Sequence, residues 1–194
     1  MSAGQAARRL ADETGGRAEE SFGLWCVHVA ADRWVPALRT ARDELGLTYL
    51  DWLGGVDEAG GAPEPGGVAA GFAVLAHLLH LEGREHLLVR TPLPSEHPRL
   101  SSAVEVFPGA GWHERETAEM YGIVFLGHPD PAALLLRPDF GAHPLRKDFL
   151  LTARVATPWP GSVDPTGKER RRAMPPGVPA AAPADATPLR RAAR

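Results

Sequence analysis

Two apolar runs separated by four residues constrain this chain more than any other feature. Residues 72–81 and 86–91 are rich in Val, Leu and Ala, and the link from Glu82 to Glu85 around Gly83 reads as a turn, so the runs form two neighbouring strands. Upstream, Phe22, Leu24, Cys26, His28 and Ala30 alternate with Gly23, Trp25, Val27 and Val29, the pattern of a strand covered at least partly on both faces. Residues 47–52 read as a further strand. Between these two, Trp34, Leu38 and Leu45 stand at near-helical spacing before Gly46, which predicts a short amphipathic helix that tolerates Pro36 in its first turn. Residues 54–67, rich in glycine with two prolines, read as a surface loop. The order strand, helix, strand, strand, strand predicts an α+β fold: a mixed or antiparallel sheet with helices packed on one face, followed by an extended C-terminal tail.

With 194 residues, 44% of them hydrophobic, the chain can bury one real core. The expected organisation is a flexible N-terminal segment over 1–20, a folded body over 21–155 and a proline-rich basic tail over 156–194. The formal charge of −3 hides an asymmetry, because residues 152–194 hold eight Lys and Arg against three Asp and Glu. The body is therefore acidic and the tail basic. Nothing near the N-terminus has the form of a secretory signal, and no segment offers the roughly 18 uninterrupted apolar residues of a membrane span. The single Cys26 permits neither an internal disulfide nor a four-thiolate cluster, and its strand setting suggests an inert buried thiol.

The run from Trp112 to Asp148 is dense in charge, glycine and proline. Glu114 to Tyr121 can form two helical turns, with Thr117, Met120 and Tyr121 on one side and Arg115 placed to pair with Glu119 four residues on. Glu114 and Glu116 would then lie near the helix N-terminus, where the macrodipole favours carboxylates, and Gly122 would end the helix. Catalysis by Glu114, Glu116 and Glu119 has no accompanying nucleophile, and His128 and His143 with Asp130 and Asp139 lack the close histidine spacing of a metal site. The favoured reading makes Glu114, Arg115, Arg146, Lys147 and Asp148 partners in buried or interfacial ion pairs. No catalytic, cofactor-binding or metal-binding residue is expected in this chain.

This segment resembles the signature of the 30 kDa subunit (the C subunit) of proton-pumping NADH:quinone oxidoreductase, respiratory complex I. The family pattern runs approximately E-R-E-x-x-[DE]-[LM]-[FY]-G-I-x-F-x-G-H-P-D and then G-x-P-L-R-K-D-[FY]. Matching it are Glu114, Arg115, Glu116, Glu119, Met120, Tyr121, Gly122, Ile123, Phe125, Gly127, His128, Pro129 and Asp130, then Gly141, Pro144, Leu145, Arg146, Lys147, Asp148 and Phe149. Upstream, L-D-W-L-G-G-V-D from Leu50 to Asp57 is similar to the family's approach to its first hairpin. The link after Asp130 departs from the family, having Pro131, Ala132 and Ala133 where a basic pair is usual, and Leu150 replaces the proline that commonly follows the final aromatic.

The resemblance implies a structural subunit of the peripheral arm, at the cytoplasmic side of the cell membrane and attached to it through the complex. Its implied partners are the quinone-site (49 kDa, or D) subunit and other peripheral-arm subunits of complex I. FMN and iron-sulfur clusters would sit on partner chains and carry electrons from NADH to quinone, coupled to proton translocation. The alternative is the equivalent subunit of a related membrane-bound hydrogenase or other electron-input variant. In the tail, Lys168, Arg170, Arg171 and Arg172 form a basic cluster without a nucleic-acid fold or aromatic platform, so an acidic protein partner or solvation is favoured over nucleic acid. Family members that carry this extension look similar through A-T-P-W-P-G and R-R-A-M-P-P-G-V-P, where Trp159 is the expected anchor.

Overall fold

A computed structural model describes residues 1–60 and 71–149. The expected boundary near residue 155 and the tail, including Trp159 and the cluster from Lys168 to Arg172, lie outside the described residues.

The chain begins with a helix rather than a flexible segment. In α1 (Ala3–Thr14), Ser2 and Gln5 form a reciprocal capping box, Gly15 closes the helix in the left-handed region, and Ala6, Ala7, Leu10 and Ala11 are buried. The small alanines let the helix lie close to the sheet. β1 (Arg17–Ser21) and β2 (Leu24–His28) follow as an antiparallel hairpin, in which Ser21 faces Leu24 across the two-residue turn Phe22-Gly23. Both turn residues have positive φ, 52° and 78°, as a tight hairpin requires. After a short 3-10 turn, α2 (Trp34–Asp43) carries Pro36 in its first turn and buries Trp34, Ala37, Leu38 and Ala41.

β3 (Tyr49–Asp57), β4 (Phe72–Leu79) and β5 (His86–Leu93) form an antiparallel meander. The full order is β1-β2-β5-β4-β3, with β2 and β5 parallel and every other pair antiparallel. This is the expected mixed sheet with helices packed alongside it. Its core joins Val27, Leu87, Val89, Val74 and Leu78 to Leu10, Trp34 and Leu38, and a fully buried side chain of this kind contributes about 1.5–3 kcal/mol. Cys26 is half-buried rather than enclosed, because its strand has the mostly exposed β1 as its outer neighbour.

β3 runs through Gly54 and Gly55, which the glycine-rich composition had suggested was loop. The reason is close packing: a Cβ on Gly55 would stand 2.7 Å from Tyr121 Cδ2 and 3.0 Å from Thr117 Cγ2. Those two residues belong to α3 (Ala110–Tyr121), which crosses β3 here. Beside it, β6 (Arg99–Ser101) and β7 (Val124–Leu126) make a small parallel pair.

Candidate functional site

α3 starts one turn before the expected position, so Glu114 is its fifth residue and owes nothing to the helix N-terminus. Its side chain is 0% exposed and accepts hydrogen bonds from Ser102 Oγ at 2.7 Å and from the Ala103 amide at 2.6 Å. It thereby fastens α3 to the chain leaving β6. Burial pushes the Glu114 carboxyl above its ordinary range, against the opposing pull of those two bonds and of His128. The His128 ring is fixed separately: its Nδ1 accepts from the Asp130 amide at 3.0 Å, and its Nε2 donates to the Gly111 carbonyl at 3.1 Å. Glu116 is exposed. Burial, with the charges of Asp57 and Glu116, raises the Tyr121 phenol above its usual value.

Arg115 and Glu119 each hold backbone instead of pairing with one another as the helical spacing predicts. Arg115 donates to the Ala132 carbonyl at 2.7 Å and the Ala133 carbonyl at 2.9 Å, lies 3.6 Å from Asp130 and stacks 5.6 Å from the Trp112 ring centroid. Glu119 accepts from the amides of Leu134, Leu135 and Leu136 at 2.8, 2.7 and 3.2 Å. Burial acts to raise the Glu119 pKa, but the three amides and Arg115 outweigh it and hold the carboxyl below its ordinary range. The departure at Ala132 and Ala133 is therefore accommodated, because at these positions Arg115 grips carbonyls that every residue has.

Residues 143–149 close over the far end of α3. A helix leaves its last four carbonyls without intrahelical donors, and here each finds one. The Gly122 amide donates to Ala118 O, His143 Nδ1 to Glu119 O at 2.8 Å, the Leu145 amide to Met120 O at 3.2 Å, and Arg146 Nε to Tyr121 O at 2.6 Å. The guanidinium also sits 5.0 Å from the Phe72 ring centroid. Arg146 thus neutralises the negative end of a helix, in place of the carboxylate pairing expected from the sequence. Lys147 donates its backbone amide to Asp57 Oδ2 at 2.8 Å and its Nζ to Ala59 O at 3.0 Å, tying the segment to the end of β3. Asp148 is exposed. Gly122 makes this clasp feasible: its φ is 72°, and a Cβ there would meet Arg146 Nη2 at 2.5 Å and His143 Nε2 at 2.6 Å.

Between α3, β7 and the two wrapped segments lies a cavity of about 370 Å³, lined by Glu114, Ala118, Ile123, Phe125, His128 and His143 among others. Among the described residues no group of three or more His, Cys, Asp and Glu side chains is placed to hold a metal ion, and no helix is long and apolar enough to cross a membrane. The structure gathers Glu114, Arg115, Glu119, His128, Asp130, Arg146 and Lys147 around one helix, and leaves Glu116 and Asp148 on its surface. Gly55, Asp57 and Phe72 complete the site from the sheet. The paired glycines of β3 were the available signal for that contact.

The family model described as the respiratory-chain NADH dehydrogenase 30 kDa subunit matches residues 27–155, which include all of α3 and the clasp. The chain belongs to this family. The NADH-quinone oxidoreductase C subunit of Bordetella pertussis is 41% identical over 149 residues, covering 70% of either chain. A protein of Methylococcus capsulatus named as an NADH-quinone oxidoreductase C/D subunit is 34% identical over 172 residues, 87% of this chain and 29% of its own length. Among solved structures, a trypsin-resistant fragment (1–134) of Nqo5 superposes with a TM-score of 0.56 at 28% identity, covering 64% of this chain and 98% of the fragment. As a family member, the chain joins the proteins of respiratory electron transport, in agreement with the resemblance carried by its signature.

Proposed function

We propose that this chain is a structural subunit of the peripheral arm of NADH:quinone oxidoreductase, holding the quinone-site (D) subunit in position at the cytoplasmic face of the membrane. Electrons would pass from NADH to quinone through FMN and iron-sulfur clusters on partner chains, while this chain supplies shape and orientation. One observation carries the reading. Glu114, Arg115, Glu119, His143, Arg146 and Lys147 each hold a backbone group of their own chain, so the signature's charges shape a surface instead of presenting a reactive set. The C/D name of the Methylococcus relative, in which the matched region is a minor part of one polypeptide, supports D as the neighbour.

The test has two arms. A strain lacking this chain should lose assembled complex and NADH-dependent quinone reduction together, with recovery of both on complementation. The purified full chain should neither oxidise NADH nor hold iron or flavin. Turnover by the purified chain, or stoichiometric iron within it, would overturn the reading, as would full assembly in its absence.

A further inference from the structure

The outer face of the sheet, away from the helices, carries a cluster of side chains that the functional reading leaves unused. Along β4, Val74, Ala76 and Leu78 point into the core, so His77 points from the opposite face. On β5, His86 stands diagonal to it, because His77 pairs with Leu88 and His86 with Leu79. Diagonal neighbours on one face lie within reach of ring side chains. Here the two rings meet edge to face, 5.1 Å between centroids, with His77 Nε2 2.8 Å from His86 Nδ1.

β3 supplies the third member. Its register shifts between Leu50 and Trp52, which leaves Asp51 without a partner in the ladder and re-aims its carboxylate toward β4. Asp51 Oδ2 lies 2.9 Å from His77 Nδ1, and Trp52 stacks on the same ring at 5.8 Å between centroids. Because a carboxylate only accepts, His77 donates from Nδ1. In the uncharged ring the lone pair then sits on Nε2, where it accepts from His86 Nδ1.

A carboxylate behind one ring nitrogen prepares a histidine for a metal ion: it fixes the tautomer, holds the ring and raises the basicity of the other nitrogen. The His77 side chain is 14% exposed and held in this way, while His86 is exposed and can turn. Two imidazoles on one tetrahedral ion, with bonds of about 2.0–2.1 Å, place their nitrogens about 3.3 Å apart. The pair stands roughly half an ångström short of that spacing, a gap that a small turn of His86 closes. We infer that His77 and His86, backed by Asp51, form a site for one divalent transition-metal ion of the zinc and copper class, with water completing its coordination. Imidazole suits those ions, whereas Mg²⁺ and Ca²⁺ take oxygen ligands. The ion takes the lone pair of His77 Nε2 and that of His86 Nδ1, whose proton is carried by water to Nε2 of the same ring. Only two side chains ligate, in keeping with the absence of a three-residue metal group among the described residues. Such an ion would be exchangeable and would tie β3, β4 and β5 together, apart from the signature around α3.

The test uses the full chain, purified without a polyhistidine tag and stripped with chelator. Calorimetric titration with Zn²⁺ should show one ion bound in a first, saturable step, and titration with Mg²⁺ should show none. His86→Ala, at an exposed position, should weaken Zn²⁺ binding at least about tenfold, and Asp51→Asn about 10–100-fold, the usual loss for an outer-shell carboxylate. Nitrogen-15 spectra of the histidine rings separate a metal site from a hydrogen-bonded chain that only joins three strands. Before Zn²⁺ is added both rings should carry the proton on Nδ1; afterwards His77 should keep it there and His86 should carry it on Nε2. Absence of saturable Zn²⁺ binding overturns the inference, as does binding unchanged by both substitutions. So do spectra in which Zn²⁺ acts on other histidines and leaves His77 and His86 as they were. Each of these results leaves the functional reading standing, because that reading rests on the residues around α3.

Discussion

Replacing Gly122 with alanine tests the clasp directly. The residue sits at φ 72°, where an L side chain costs about 1–2 kcal/mol. Its new Cβ would also stand 2.5 Å from Arg146 Nη2 and 2.6 Å from His143 Nε2. The guanidinium can swing aside, but then the Tyr121 carbonyl loses its donor and the Phe72 ring its cation. A hydrogen bond from a charged donor contributes about 1.5–3 kcal/mol, so the total loss should reach about 3–5 kcal/mol. That is a large share of the roughly 5–15 kcal/mol that holds a domain folded. Gly15 supplies the internal control, since it caps α1 at φ 66° and a Cβ placed there would meet nothing within 4 Å. Gly15→Ala should therefore cost only the backbone part, about 1–2 kcal/mol. Urea denaturation of the two full-length variants, followed by tryptophan fluorescence, measures the difference. If both lose the same free energy to within about 0.5 kcal/mol, the capping of α3 by residues 143–146 contributes nothing and the account of Gly122 is wrong.

Glu114→Gln should be tolerated far better than Glu114→Ala, which leaves the Ala103 amide without its buried acceptor at a cost of about 1–3 kcal/mol. Because burial raises the folded pKa of Glu114, its favourable contribution is complete below the unfolded value, near 4.3, and is lost as pH rises through the folded one; Glu114→Gln should flatten that limb of stability against pH, and an unchanged slope would count against it. Glu119 has the opposite sign: its folded pKa is depressed, so its contribution is present above about 4.3 and lost as pH falls through the folded value, and Glu119→Ala should speed hydrogen exchange at the amides of Leu134, Leu135 and Leu136. Gly55→Ala should cost about 1–3 kcal/mol by overpacking against Tyr121 and Thr117, while Gly54→Ala, whose nearest neighbour is 4.0 Å away, should be near neutral in the same urea denaturation assay.

The meander and the helix stop at Gly122 were legible in the sequence because they rest on apolar period and on a glycine's conformational freedom. α1 was missed although its capping box, Ser2 and Gln5, stands in the sequence; its buried stripe is mostly alanine, which gives little hydrophobic contrast. β1 is Arg-Ala-Glu-Glu-Ser, an edge strand with most of its residues exposed, and carries no alternating apolar signal. The charged residues of the signature were recognised, but their partners were not. Arg115, Glu119 and Arg146 bind carbonyls and amides, and since every residue offers these groups, spacing cannot reveal which are used. A reading that looks for a carboxylate near each arginine will find Glu119 for Arg115 at four residues' distance and miss the wrapped loop.

The parallel seam between β2 and β5 bears on how the chain reaches this fold. β1 pairs with β2 across a tight turn, and β4 lies between its own sequence neighbours β3 and β5. Each half can therefore form from local contacts, but His28 must find Arg90, 62 positions further along the chain, before the sheet is whole. Loop closure over such a span is entropically costly and comes before the contacts that reward it. The seam is thus the kinetic gate: softening Val27 or Val89 should slow folding, whereas loosening the clasp at Gly122, which needs the finished β3 edge to grip, should mainly hasten unfolding.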